Sequence, residues 1–385
     1  MDYEIGVSRR GLFHPVWAEV DLGKIVHNYR EVRRLVGAQV KIMAVVKANA
    51  YGHGAVEVAR ALSQAGADCF GVANMQEAVQ LRTAGIEEPV LILGWLPPED
   101  YEQALLWKIT LAIFSLEEAE KLSRTAMARG EKALVHLKID TGMGRIGFCP
   151  DAQSLSRIKR ILVLPGLEVE GIFSHLAQAD ERDKTYTKQQ LQLFKGFVER
   201  LETETGFKFK TKHCANSAAV IDHPEAYFDL VRPGIILYGL KPSAEVHLER
   251  LRLRQAMALR ARISFVKKVP AGTAISYGGS YVTTEESIIA TLPLGYADGY
   301  SRLLSGKAEV LCQGERAPLV GRICMDQLMF EATALKNEVQ KGDLVTLWGQ
   351  DGAAFISVDE LAEILGTINY EVICALAQRV PRIFV

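Results

Sequence analysis

What constrains this chain most is a regular alternation in its first 240 residues, where short apolar runs take turns with segments of helical periodicity. The runs at 16–20, 42–46, 69–72, 90–93, 111–114, 134–139, 167–173, 210–214 and 235–238 are rich in Val, Ile and Leu. Short runs without polar alternation are what strands covered on both faces require. Between them, Ile25, Val26, Tyr29, Val32 and Leu35 fall on one helical face behind Asp21, a suitable N-cap. Ser115 and Glu118 form a capping-box pattern, and Gly130 stands where a helix closes. About eight such strand–helix units predict a (β/α)8 TIM-type barrel, an α/β fold, with an open doubly wound sheet as the competing arrangement.

The pattern changes near Met257. Strand-like runs at 262–268, 288–292, 308–312, 319–323 and 344–348 are separated by turn residues at 270–272, 312–315 and 349–352. Helical periodicity returns only behind Ser357 and Glu360. A length of 385 residues suits two domains. The expected division is a barrel over 1–250 and a mostly β domain over 251–385, with 241–256 as the crossing segment.

Composition excludes several function classes. The 45 basic and 46 acidic side chains leave a net charge of −1, which argues against a nucleic-acid or membrane-surface partner. The six cysteines are dispersed without zinc-site or redox-motif spacing. No apolar run approaches the roughly 18 residues of a membrane span. With no secretory signal pattern at the start, a cytoplasmic protein is the expectation.

The densest chemical signal lies at 44–54. A buried-strand pattern runs into Lys47, and Tyr51, Gly52, His53 and Gly54 follow. On a parallel barrel the strand's C-terminal end faces the active site. A partly desolvated lysine there has a lowered pKa and suits Schiff-base chemistry, and an adjacent hydroxyl with flexible backbone suits a phosphate. A lysine that merely ends a strand in water is the commoner case. Likewise Ser217 alone is an N-cap, Arg232 a surface ion pair, His175 a satisfied core histidine and Met325 core filler.

The segment at 44–54 resembles the cofactor-lysine motif of the alanine racemases, fold-type III enzymes of pyridoxal 5'-phosphate, and the resemblance runs from 16–22 to 379–382. It implies that Lys47 carries the cofactor. Tyr51, Asn216, Ser217, Gly234, Ile235 and Tyr238 are implied in binding its phosphate, with Arg232 at the pyridine nitrogen. A guanidinium can only donate, so the ring nitrogen stays unprotonated and the ring becomes a weaker electron sink. The resemblance further implies two catalytic bases, Lys47 and Tyr277, on opposite faces of the α-carbon. His175 would touch the cofactor and bond the tyrosine oxygen, and Arg145 and the Met325 backbone N–H would take the substrate carboxylate. Lys138 would be a carbamylation site that orients Arg145. Tyr296 and Tyr370 would narrow the pocket to a methyl group, Tyr370 also touching the cofactor. A homodimer with shared active sites is implied, acting on alanine and supplying D-alanine for peptidoglycan.

Phe173 and Leu176 depart from the family's usual tyrosine and phenylalanine around His175. Three alternatives stand beside this reading: a basic-amino-acid decarboxylase, a broader racemase acting on serine, and a non-catalytic pyridoxal phosphate-binding protein. Arg232 and Tyr277 speak against the first, and the β-rich C-terminal half against the last.

Overall fold

The computed structural model describes residues 15–385. They form two compact units, one spanning Leu22–Arg254 and the other combining the segment that ends at Asp21 with Gln255–Val385. Strands are β1 (Val16–Val20), β2 (Lys41–Val45), β3 (Cys69–Val72), β4 (Val90–Ile92), β5 (Thr110–Ile113), β6 (Ala133–Lys138), β7 (Leu167–Phe173), β8 (Thr211–His213) and β9 (Leu230–Val231). In the second half follow β10 (Met257–Arg262), β11 (Phe265–Val269), β12 (Ala274–Ile275), β13 (Tyr281–Val282), β14 (Ser287–Leu292), β15 (Glu309–Cys312), β16 (Glu315–Val320), β17 (Leu328–Glu331), β18 (Leu344–Asp351), β19 (Ala354–Ile356) and β20 (Arg382–Phe384).

The first unit is the expected barrel. Strands β2 to β8 pair in parallel with their chain neighbours, and β9 pairs with β2. The last seam, between β8 and β9, is closed by single bonds: Asp229 N to Lys212 O at 3.1 Å and Arg232 N to Ala215 O at 2.9 Å. Helices cover the outside, among them α1 (Leu22–Val36) and the helix Leu116–Ala128, whose Ser115 cap accepts from Glu118 N as expected. Met43, Cys69, Leu91 and Leu230, from four different strands, pack as one buried cluster. Burying a side chain of that kind stabilises by about 1.5–3 kcal/mol.

Two expected barrel strands lie elsewhere. The run at 16–20 pairs antiparallel with β10 and parallel with β20, so it belongs to the second unit's sheet. The run at 235–238 is a buried 3-10 turn, and the closing strand is β9 just before it. Uniform hydrophobicity marks both runs as buried without saying which neighbour covers them. The end of the expected crossing segment, at 250–254, folds onto α1. Asn28 donates to Leu237 O and Arg254 O and accepts from Arg254 N, while Glu31 accepts from Arg252 N.

The second unit is mostly sheet, ordered β11-β14-β17-β16-β15-β18-β10-β1-β20, with β19 on β18 and a separate β12–β13 hairpin. The expected strand at 262–268 is two strands broken at 263–264. Helices Val358–Leu365 and Asn369–Cys374 follow, the first capped by Ser357 accepting from Glu360 N.

Candidate active site

Lys47 follows β2 at the C-terminal end of the barrel, and the chain then turns left-handed. Ala48, Asn49, Ala50 and Tyr51 all have φ between 52° and 54°. For L-residues this conformation costs about 1–2 kcal/mol each, so four in succession need support from outside. Within the turn, Ala50 N donates to Val46 O, Gly52 N to Ala48 O and Gly54 N to Asn49 O. From outside, the Glu77 carboxylate accepts from Ala48 N and Ala73 N, both at 2.8 Å, tying the turn to the end of β3. Asn49 Oδ1 accepts from Ala55 N at 2.8 Å, opening the next helix. This geometry fixes where the Lys47 amine emerges.

Tyr51 closes a small polar cradle beside Lys47, where β2 and β9 pair and Val45 N donates to Pro233 O at 3.0 Å. Ser217 Oγ accepts from Gly234 N at 2.8 Å, and Asn216 caps the short helix by accepting from Ala219 N. A Cβ on Gly234 would lie 2.4 Å from the Tyr51 hydroxyl, so only glycine lets that hydroxyl approach this backbone. Hydroxyls, an amide and open backbone are the donor set a phosphate monoester needs, and the residues present fit such a group. Ile235 lies fully buried behind Gly234. The Tyr238 hydroxyl, expected at the phosphate, donates to Val45 O at 2.9 Å and so steadies the strand that leads to Lys47.

Arg232 is buried at the end of β9. Its guanidinium donates to His213 Nδ1 at 2.8 Å, Ser174 O at 2.7 Å and Cys214 O at 3.1 Å, and lies 3.4 Å from His175 Nδ1. Burial lowers its pKa to about 10, which still leaves it a cation at neutral pH. Because arginine only donates, His213 Nδ1 carries no proton, and its Nε2–H donates to His136 Nδ1 at 2.8 Å. Burial, then the Arg232 charge, holds His136 down to about 3 and His213 well below its ordinary value, so both rings are neutral. His175 is held down by the same two causes. With its Nδ1 toward Arg232, its Nε2 keeps the proton and can donate to an oxygen. Phe173 lies beneath this group, stacked on His213 at 4.7 Å with the Arg232 and Lys138 cations over its ring at 5.5 and 5.3 Å. These contacts are made by the phenylalanine that departs from the family's usual tyrosine.

Lys138 ends β6, almost wholly buried, with Nζ donating to Ile139 O at 2.9 Å. Burial, followed by the Arg232 charge, lowers its amine to about 7. Arg145 stands exposed on the following glycine-rich loop. Asp140 shapes that loop by accepting from Gly142 N and Gly144 N at 3.0 and 3.1 Å.

The remaining expected residues lie in the second unit. Tyr277 is 69% exposed on a turn whose Ser276 has φ 66° and donates from Oγ to Arg322 O. It lines an open pocket of about 700 Å³ with Ser276, Cys324, Met325 and Asp326. Tyr296 and Met325 sit on adjoining loops, joined by Tyr296 N to Cys324 O and Ala297 N to Met325 O, both 3.0 Å. Tyr370 lies on the helix Asn369–Cys374.

Comparison with known proteins gives this geometry a family. The profile of the alanine racemase N-terminal domain matches residues 20–242, and that of the alanine racemase C-terminal domain matches 256–384. The chain belongs to the alanine racemase family. An alanine racemase of Desulforamulus reducens is 52% identical over 371 residues, 96% of this chain and 99% of the relative. The solved alanine racemase of Clostridium difficile 630 superposes with a TM-score of 0.93 at 42% identity, covering 97% of this chain and 96% of that one. A complex of that alanine racemase with cycloserine gives 0.91 at 41%, with the same coverage. Alanine racemases are isomerases, and the family depends on pyridoxal phosphate.

The residues expected to carry function fall into two sets, one in each unit. Lys47, Tyr51, Lys138, Arg145, His175, Asn216, Ser217, Arg232, Gly234 and Ile235 follow barrel strands, and Tyr277, Tyr296, Met325 and Tyr370 stand on the second unit. Sequence reasoning missed Glu77, Asp140, His136 and His213. Glu77 was within reach, since Asn74 and Glu77 have capping-box spacing, and the structure indeed bonds Glu77 N to Asn74 Oδ1 at 3.0 Å. Its carboxylate's second task had no sequence signal.

Proposed function

We propose that this chain interconverts L- and D-alanine with pyridoxal 5'-phosphate attached through Lys47 Nζ. Tyr51, Asn216, Ser217, Gly234 and Ile235 hold the phosphate, Arg232 donates to the pyridine nitrogen, and Tyr370 completes the cofactor's surroundings. When bound, pyridoxal phosphate acidifies the α-hydrogen of an amino acid by drawing electrons toward its ring. Lys47 Nζ, once the substrate amine has taken its place on the cofactor and left it a free amine, would move the proton on one face of the α-carbon and Tyr277 Oη on the other. His175 donates from Nε2 to the Tyr277 oxygen. Arg145 and the Met325 N–H bind the substrate carboxylate, and Tyr296 with Tyr370 confines the side chain to a methyl group. Lys138, near neutral pH partly unprotonated, is nucleophilic enough toward carbon dioxide to be carbamylated, and the resulting anion orients Arg145. The active unit is a homodimer in which Tyr277 of one chain serves Lys47 of the other. The reaction is cytoplasmic and supplies D-alanine for peptidoglycan; no described helix is long and apolar enough to cross a membrane.

The observation that supports this reading most is the pairing on one barrel rim of Lys47 with Arg232, a buried cation that can only donate. The test is to saturate the protein with pyridoxal phosphate, add L-alanine and measure D-alanine. Borohydride reduction is expected to label Lys47. Lys47→Ala and Tyr277→Ala proteins, each inactive, are expected to regain on the order of a quarter of wild-type activity when mixed, because half the dimers are mixed and each holds one intact site. No D-alanine, or no label on Lys47, sinks the reading; no recovery on mixing sinks the shared site.

A further inference from the structure

Arg379 is an exposed arginine in the chain's last turn, outside every role assigned above. Its Nε donates to Asp298 Oδ1 and its Nη2 to Asp326 Oδ1, both at 2.7 Å. The two carboxylates belong to different loops. Asp298 closes the turn that carries Tyr296, and its side chain, 2% exposed, also accepts from Gly295 N at 2.9 Å. Asp326 directly follows Met325 and is exposed. The turn that presents Arg379 is itself held, because Arg382 donates to Leu376 O, Ala377 O and Val380 O. Ala377 N donates to Asp298 O at 3.0 Å.

The three segments meet with little room. A Cβ on Gly295 would fall 2.2 Å from Cys324 O, and one on Gly299 2.2 Å from Ala375 O. The backbone bonds from Tyr296 N and Ala297 N cross the same seam. A guanidinium is the side chain that can bridge two carboxylates with separate N–H groups from one rigid plane, whereas an ammonium is a single point.

We infer that Arg379 is a positioning residue that clamps the Tyr296 loop to the Met325 loop and thereby sets how large a side chain the substrate can carry. The inference rests on the proposed racemase reading, in which Tyr296 limits the side chain and Met325 N–H binds the carboxylate. Loosening the clamp lets Tyr296 draw back from the space beyond a methyl group. A substrate one hydroxyl larger then gains on alanine, because a pocket discriminates between such close analogues only as well as its walls hold still.

The test uses the cofactor-loaded enzyme with L-alanine and L-serine. In Arg379→Gln, KM for alanine is expected to rise about three- to tenfold with a smaller change in kcat, and the serine-to-alanine ratio of kcat/KM to rise about fivefold. Arg379→Lys should restore part of both. Asp326→Asn, which removes only the exposed partner, should move the ratio in the same direction and covers the case in which Arg379→Gln does not fold. Independently of activity, amide exchange at Tyr296 and Ala297 should quicken about tenfold in Arg379→Gln. A serine-to-alanine ratio within twofold of wild type, an equal fall for both substrates, or unchanged exchange overturns the inference. Failure of the wild-type enzyme to racemise alanine would instead overturn the reading beneath it.

Discussion

Replacing Glu77 should release the left-handed turn that aims Lys47. Four L-residues in this conformation store about 4–8 kcal/mol in total, at 1–2 kcal/mol each, set against the bonds that hold them. Glu77 supplies one of those bonds from outside the turn, Oε1 to Ala48 N at 2.8 Å, and through Oε2 joins it to Ala73 N on the β3 side. A hydrogen bond to a charged group contributes about 1.5–3 kcal/mol. Because the Ala48 contact is exposed, water takes over part of that, and we expect Glu77→Ala to weaken the turn by about 1–2 kcal/mol. That corresponds to a loss of amide-exchange protection over 48–54 of about 5- to 30-fold, at 1.36 kcal/mol per factor of ten. Glu77→Gln retains one acceptor and should lose less. The measurement is native-state hydrogen exchange resolved to that segment, with distant barrel amides such as those of β5 as the internal control. Protection within threefold of wild type in Glu77→Ala would refute the claim that this carboxylate holds the turn. A uniform loss across the barrel would refute the claim that its action is local.

Three further outcomes follow from the geometry. Gly234→Ala places a methyl group 2.4 Å from the Tyr51 hydroxyl; overpacking of this kind costs about 1–3 kcal/mol, so the Kd for pyridoxal phosphate by absorbance titration should rise about tenfold, and an unchanged Kd would remove Gly234 from the cradle. Gly295→Ala meets backbone oxygens at 2.2 and 2.3 Å that cannot rotate away, and thermal denaturation should show a midpoint lowered by on the order of 6 °C or more; an unshifted midpoint would show that this seam yields. Lys138 has a folded pKa near 7 against 10.5 when free, so between those values the unfolded chain binds the additional proton and stability rises with pH. In carbon-dioxide-free buffer Lys138→Met should be less pH-dependent than wild type between pH 7 and 10, and parallel profiles would contradict the assigned burial effect.

The sequence alone determined the elements that local chemistry dictates. Apolar runs of strand length, caps at Ser115 and Ser357, and a lysine at the end of a buried run are written in adjacent residues, and so was the change to a β-rich second half. Resemblance to the racemases supplied the roles, because a hydroxyl or a guanidinium does not by itself reveal its ligand. Tertiary structure alone decided the partners. The run at 16–20 reads like any barrel strand but bonds to β10 and β20, more than 230 residues away, since apolar content fixes burial and not which strand lies alongside. The left-handed turn after Lys47 contains no glycine over 48–51 and is held in part by a carboxylate from another helix. The donor-only guanidinium of Arg232 fixes the tautomers of His213 and His136 across the barrel, an effect that begins only when folding removes water from all three.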